Sequence, residues 1–579
     1  MKKNDLFQPI VLIFTAMVLG GCGAGADVTS SSAGLAVKGN ATSPCATSIA
    51  ANTDYVCMAS STLSGNVRWS LNSAPTGMQI QPVSGVLHWS PLTAQVGSYT
   101  IYAIATNGSQ TQQVPLSLTV TAGTPDPVGL FVSPNGNDAN NGSATLPFRT
   151  LLQAVKTVQP GQTIYIRGGE YRNAEYGTPW NTRTRSNLAL ISTSGSAAAP
   201  ITLRPLGNEY VRLVSDVTGI SIKSANYWTI QGLELVGSSP LLDRQTVLSR
   251  WWNDPGNSLG GAGIANAGGD HLTITDCVIH DFPDAGISAN SAEYLTVSNN
   301  VVYNNGWWTT GGTHGISVSQ MVSTPAGSGQ ETIQLTGNLV FGNQSLMISH
   351  VFSKGSVTLA IDEGNGLHLQ DSNKTYTGYA LLRDNLLAFN GKAGLGINTM
   401  AGVKLLNNDF YLNARTVDTG ELRLQSSPMS LATGNLFQPR MERMTIDDAA
   451  KAYTNVGVNA TTGTSADGAL YPSVQRLAAV FANADAGDFT AASSVPAGMG
   501  VSVSNLDRMK AKISEYGITL VAPNQVIDND YLASVKKDIF SSWPVSYSNL
   551  VLNDPLTGYS YTYAQRCNYP SAPGSATCS

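Results

Sequence analysis

Between residues 263 and 413 the chain alternates two patterns. One is a glycine followed by an apolar residue: Gly263-Ile264, Gly286-Ile287, Gly315-Ile316, Gly366-Leu367 and Gly394-Leu395. The other is the frame Asn-x-apolar-x-x-Asn, at Asn300/Asn305, Asn338/Asn343, Asn385/Asn390 and Asn408/Asn413, with Cys277 filling the first position of an earlier copy. Steps of 23 residues separate 277 from 300 and 385 from 408. A period of that size suits one coil of three short strands. The intervals of 38 and 47 imply loop insertions or, in the longer case, a doubled coil. In each strand the apolar residue after glycine points inward and its neighbours outward. Asparagines stacked at turns would hydrogen-bond along the axis. The repeat fades near residue 440.

Upstream the pattern changes. Val67–Leu71, Val86–Trp89 and Tyr99–Ala105 read as short strands, broken by turns at Ser73–Gly77 and Thr106-Asn107-Gly108. Gly123–Pro127 reads as a linker. Phe148–Val158 has helical spacing, with Leu151, Leu152, Val155 and Val158 on one face. Pro160-Gly161 then turns the chain into the strand-like Ile164–Tyr171. A helix is expected at Leu506–Tyr516, and the Tyr- and Asn-rich last 60 residues are expected to pack against the helix side.

The fold class is therefore all-β. Its expected divisions are a signal peptide (1–21), a tether (22–40), a sandwich (41–122), a parallel β-helix (128–500) and a C-terminal extension with a short helix and a disulfide (501–579). Composition agrees: charged residues are 12% of 579, about half the ~25% of ordinary soluble domains. Glycine is abundant at 58, without a collagen period, and a hydrophobic fraction of 42% excludes general disorder. A net charge of −5 gives no support to nucleic-acid binding.

Lys2 and Lys3 precede an apolar run, Pro9–Leu19, too short for a stable membrane span. Leu19-Gly20-Gly21-Cys22 resembles a bacterial lipobox, which implies lipidation of Cys22. Residue 23 is Gly, where Asp marks inner-membrane retention in enterobacterial lipoproteins, so the resemblance implies the outer membrane. Cys45 with Cys57 and Cys567 with Cys578 look like short-loop disulfides of an oxidising compartment. Cys277, in an apolar strand, reads as a buried small hydrophobe.

The order of strands and turns in 41–122 resembles immunoglobulin-like (Ig-like) domains of bacterial surface proteins. Leu130–Asp138, Asn141-Gly142, Pro147–Thr150, the helix and Ile164–Tyr171 together resemble the opening of secreted right-handed parallel β-helix proteins of the pectate-lyase-like superfamily. There the short helix caps the first coil. Phe481–Phe489 is similar to a closing strand seen in such proteins. The opening also resembles polysaccharide lyase family nine, whose lysine base lies on a D-G-F strand and whose calcium lies on D-D-G-x-D. Here those segments read Asn365–Gln370 and Asn390–Gly394, so neither the lysine nor the calcium site carries over. Asp276, Asp281 and Asp284 form a remaining acidic cluster in another context. Calcium stays open without a motif behind it, and no cofactor or metal site is assigned.

Such a resemblance implies a polysaccharide partner along one face. The outward positions, coil by coil, are Ala265; Ser288 and Asn290; Ser317 and Ser319; His368 and Gln370; Gly396 and Asn398; then Glu421, Arg423 and Gln425. A lyase needs one group to neutralise the uronate carboxylate and another to remove the C5 proton. His368 as base with Arg423 or Lys392 as neutraliser fits in type and spacing; His314 begins an earlier strand. Gln370, Asn398 and Glu421 are candidate sugar contacts. Trp251-Trp252 and Trp307-Trp308, read in loops, would stack on sugar faces or pack together as a small satellite core. The expectation is an anchored, monomeric lyase of an acidic polysaccharide. A β-helix glycoside hydrolase and a non-catalytic glycan-binding or adhesion lipoprotein are the alternatives.

Overall fold

The structure is a computed structural model that describes residues 45–173, 176, 187–253, 261–309, 313–348, 350–351, 355–417, 419–425, 427, 429–440, 446–448, 458–462, 474–523 and 527–568. The lipobox Cys22, the signal and tether segments and Cys578 lie outside the described residues.

Three parallel sheets form a right-handed β-helix. Each coil contributes one strand to a ten-stranded sheet that starts at Leu130–Val132, then one to an eleven-stranded sheet that starts at Gly169–Arg172. The third strand joins a nine-stranded sheet running from Ala189–Ile191 to Ile446–Asp448. We call the last the groove sheet and the eleven-stranded one the helix-backed sheet. On the groove sheet Ile264, Ile287, Ile316, Leu367, Leu395 and Leu422 stack in register. All are buried in one continuous core. Each such side chain contributes roughly 1.5–3 kcal/mol by leaving water.

Two asparagine ladders run along the turns that flank the helix-backed sheet. In one, Asn300, Asn338, Asn385, Asn408, Asn435 and Asn459 each offer Oδ1 to the backbone N–H of the residue one coil earlier. In the other, Asn305, Asn343, Asn390 and Asn413 do the same. The 47-residue interval is a single coil with an insertion, because Asn343 bonds Asn390 directly. The second ladder also explains the glycine column. A Cβ at Gly286, Gly315, Gly366 or Gly394 would lie 2.5–2.7 Å from its nearest neighbour and 2.6–2.9 Å from a ladder Nδ2.

Helix α1 (Leu151–Thr157) closes the first coil. Thr150 caps it, accepting from Gln153 N–H. Leu151, Ala154, Val155 and Val158 face the core, whereas Leu152 is exposed. The inward stripe follows the i, i+3, i+4, i+7 rule, so Leu152 falls off the expected face. Ahead of it, a four-stranded and a three-stranded sheet pack as a sandwich, with Trp69 and Trp89 inside and Cys45 bonded to Cys57. The sandwich docks on the first coils through a buried Arg167–Glu209 pair whose guanidinium also reaches Thr76 O and Gln95.

Helix α2 (Arg244–Asn253) lies in an insertion. Helix α3 (Val503–Tyr516) covers the helix-backed sheet through Leu506, Met509 and Ile513. Phe481–Asn483 pairs antiparallel with Asp488–Ala491 in the same layer, outside the three stacked sheets. A further helix, α4 (Asn529–Ser542), was not anticipated by the periodicity.

Candidate functional site

The outward row of the groove sheet reads Ala265, Ser288, Ser317, His368, Gly396, Arg423. The neighbouring row reads Ala267, Asn290, Ser319, Gln370, Asn398, Gln425. His368 and Arg423 therefore stand two rungs apart on one face, about 10 Å at the usual strand spacing. Gly396 between them is covered by the Asn365 amide, since a Cβ there would lie 2.8 Å from Asn365 Nδ2.

Longer connections border these rungs on both sides. Beyond the groove strands, residues 320–330 and 371–378 follow the Ser317 and His368 rungs, where flanking coils have only 291–294 and 399–402. On the other side, 304–315 and 342–366 precede the same two rungs.

His314 is buried and lies ring on ring with His368, centroids 4.1 Å apart. Asn365 N–H donates to His314 Nδ1 at 3.2 Å. That nitrogen is thus a lone-pair acceptor and the His314 proton is on Nε2, 3.4 Å from Glu363 Oε2. Asn365 Oδ1 accepts from Ala393 N–H, so its Nδ2 is the donor end, 3.3 Å from His314 Nδ1 and 3.4 Å from His368 Nδ1. His368 Nε2 then donates toward Gln370 Oε1 at 3.4 Å. Burial, then the charges of Lys392 and Arg423, push His368 down to about 4. Burial, then His368 and Lys392, hold His314 well below the usual histidine range. Both rings are neutral at pH 7.

Lys392 is also buried. Its Nζ donates to Asp362 Oδ1 at 2.5 Å and Asp362 O at 2.7 Å. His314, His368, Lys392 and Arg423 are therefore neighbours, with Asp362, Glu363 and Asn365 added. The last three sit in or just after an insertion, and no periodic pattern points to them. Gln370 and Asn398 are half-buried on the groove face, and Gln370 Nε2 donates to Ser372 Oγ.

Glu421 is not on that face. It is buried where the second ladder runs out of asparagines, taking Asn413 N–H at 3.0 Å and Asn413 Nδ2 at 2.5 Å. It occupies the glycine column and fills the place of the next asparagine. Burial raises its carboxyl to about 8 despite those bonds.

Three of the four tryptophans are likewise removed from sugar contact. Trp251 and Trp252 lie on α2, not in a loop, and with Trp308 are buried against α4 and the last strands. Trp252 Nε1 donates to Ser542 Oγ, and Trp308 Nε1 to Ser239 O. Their large apolar faces cover one another, the satellite core rather than a sugar platform. Trp307 alone of the four is half-buried, donating to Asn304 Oδ1.

The acidic residues expected near calcium diverge. Asp281 accepts from His280 and Asn304, Asp276 from Thr275, and Asp284 from Ala285 N–H. Among the described residues no three His, Cys, Asp or Glu side chains are grouped to hold a metal ion. A second charged cluster, Arg212, Glu234 and His280, lies under α3 away from the groove. Cys277 is buried and unbonded to another cysteine.

Among curated proteins, 124 residues are 32% identical to "Pectate lyase PEL9" of Emericella nidulans, covering 18% of this chain and 27% of that one. Over 100 residues the chain is also 35% identical to "Uncharacterized protein YwoF" of Bacillus subtilis, covering 17% of this chain and 18% of that one. The matches thus span about a fifth to a quarter of these relatives' lengths. Among solved structures, pectate lyase Pel9A is 17% identical over 64% of this chain and 90% of that one, with a TM-score of 0.37. Residues 130–324, the opening coils that lead into the site, match the family model described as the Pel9A-like, right-handed β-helix region.

Proposed function

We propose that this protein is a lipid-anchored polysaccharide lyase that cleaves a uronate-containing polymer by β-elimination. The observation that carries the reading is the neutral His368 on the groove face with Arg423 two rungs away and Lys392 and His314 alongside. In this reading Arg423 and Lys392 compensate the sugar carboxylate, which makes the C5 proton acidic. His368 takes that proton at Nδ1, the nitrogen that keeps a lone pair, giving up the long contact from Asn365. The C5–H electrons become the C4=C5 double bond as the C4–O bond breaks, its electron pair leaving on the glycosidic oxygen, which takes a proton from water. A carboxylate arriving beside His368 offsets the two cations that depress its basicity, so the base strengthens when substrate is bound. The local likeness to a fungal protein called a pectate lyase is consistent with this.

Incubation with a panel of acidic polysaccharides tests it. Ultraviolet absorbance of an unsaturated product supports the lyase. New reducing ends without that absorbance select a hydrolase, and retained binding without cleavage selects a glycan-binding lipoprotein. Lipidation at Cys22, the outer membrane and a Cys567–Cys578 bond belong to the same proposal.

A further inference from the structure

Residues 527–568 lie nearly two hundred positions beyond the histidines, yet they reach back to the site. Val551–Asp554 pairs in parallel with Ser356–Thr358, and Leu359 N–H continues the ladder to Asn553 O at 2.6 Å. Val357, Leu359 and Ile361 point into a core shared with Ile539, Phe540 and Leu552. Tyr531 Oη donates to Leu346 O, which starts the same insertion. On the other flank Arg244 of α2 bonds Asp538 and Ser534. Inside, a buried Lys536–Asp554 pair at 2.7 Å ties α4 to the Val551–Asp554 strand.

The clamped stretch ends where the chemistry begins. Ile361 is held in the satellite core. The next residue, Asp362, sits on Lys392, and the one after, Glu363, sits on His314. Gly364 N–H then bonds Thr313 O, and Asn365 rejoins the coil. Ser356–Thr358 belongs to a small sheet outside the three stacked ones, with the C-terminal strand as its parallel neighbour.

We propose that the C-terminal segment 527–568 is a working wall of the site: by pairing with residues 356–359 it positions the Asp362 carboxylate on Lys392 and the Glu363 carboxylate on His314. The inference rests on the site assigned above. It makes Asp362 and Glu363 positioning residues, acting through the ammonium and the His314 and His368 rings, which meet at a tilt of 36°. Without the wall, water reaches His314 and the buried side of His368, and the part of their neutrality that comes from burial is lost.

The test uses full-length protein and two variants in the satellite core, Leu552→Lys and the milder Phe540→Ala. The 15N imidazole resonances of His314 and His368, assigned with His314→Gln and His368→Gln, are followed with pH in the absence of substrate. In a variant whose circular dichroism shows an intact solenoid, both rings should take up a proton at a higher pH than in the native protein, since the burial part of the depression is lost while Lys392 and Arg423 remain. Turnover of any substrate the native protein cleaves should fall ~100-fold, as expected for misplaced reacting groups. If Leu552→Lys unfolds the solenoid, Phe540→Ala decides. Unmoved resonances in a folded variant overturn the proposal. The resonances are read without substrate, so failure of the native protein to cleave any polysaccharide would overturn the lyase reading and leave this result standing.

Discussion

His314 and His368 carry their proton on the same nitrogen because one asparagine, Asn365, faces both Nδ1 atoms. His314 is buried with both nitrogens engaged by Asn365 and Glu363, whereas His368 is half-buried on the groove face and makes only long contacts of 3.4 Å, so His368 is the ring left for substrate. Replacing His368 or Arg423 by Ala should lower turnover at least ~100-fold, the range for a lost acid–base or charge-stabilising group. Melting temperature should stay nearly unchanged for Arg423→Ala, since half-exposed polar side chains contribute little to folding; calorimetry beside a rate assay checks both. Glu421 gives a different pH signature. Its folded pKa, about 8, is raised above the unfolded ~4.3. Its contribution is therefore complete below the unfolded value and is lost as pH rises toward and through 8. Between pH 5 and 8 the native protein should lose more stability than Glu421→Gln; melting curves of the two across that window are the measurement.

At the scale of elements, the ladders explain why short strands hold a long solenoid together. Each asparagine satisfies a buried backbone N–H that no strand reaches. Asn343→Ala leaves Asn305 N–H without its acceptor and removes the side-chain donor to Val302 O and Phe341 O, while Asn305 Nδ2 keeps Ile279 O and Tyr303 O. At roughly 1–3 kcal/mol for each orphaned group, unfolding in urea should show a loss of at least ~3 kcal/mol. Asn107→Ala, in an exposed turn where water can replace its bonds to Ser109 and Gln110 N–H, should cost less, about 1 kcal/mol. Ile316→Asp places an unpaired charge in the core and should prevent folding, seen as lost near-ultraviolet dichroism.

For the whole molecule, the sandwich is fixed to the solenoid by hydrogen bonds to a buried ion pair of the first coils: Arg167 reaches Thr76 O and Gln95 Oε1, and Glu209 accepts from Ser90 N–H. Arg167→Met strips Glu209 of its partner while Gly168 and Ser90 N–H still point at it. Breaking such a pair costs about 3–5 kcal/mol, and the sandwich should become protease-sensitive ahead of the coils. Anchoring is tested separately: Cys22→Ser should move the protein from the membrane fraction to the soluble one, and unchanged fractionation would remove the lipid anchor.

The solenoid was legible because its rule is local and repeated. Each coil must put an apolar residue inward, a glycine beside the ladder and an asparagine at the turn, so register follows from counting. That register alone places His368 and Arg423 on one face, with Lys392 beside them. Insertions obey no period. Nothing in the spacing of Asp362, Glu363 or the tryptophan pairs says what they meet, because their partners come from α2 and from residues 527–568. Glu421 misled for the same reason: its strand position reads outward, yet the ladder ends there and a buried N–H needs an acceptor. Repetition along the chain determined the scaffold; packing between segments far apart in sequence decided which side chains reach the groove.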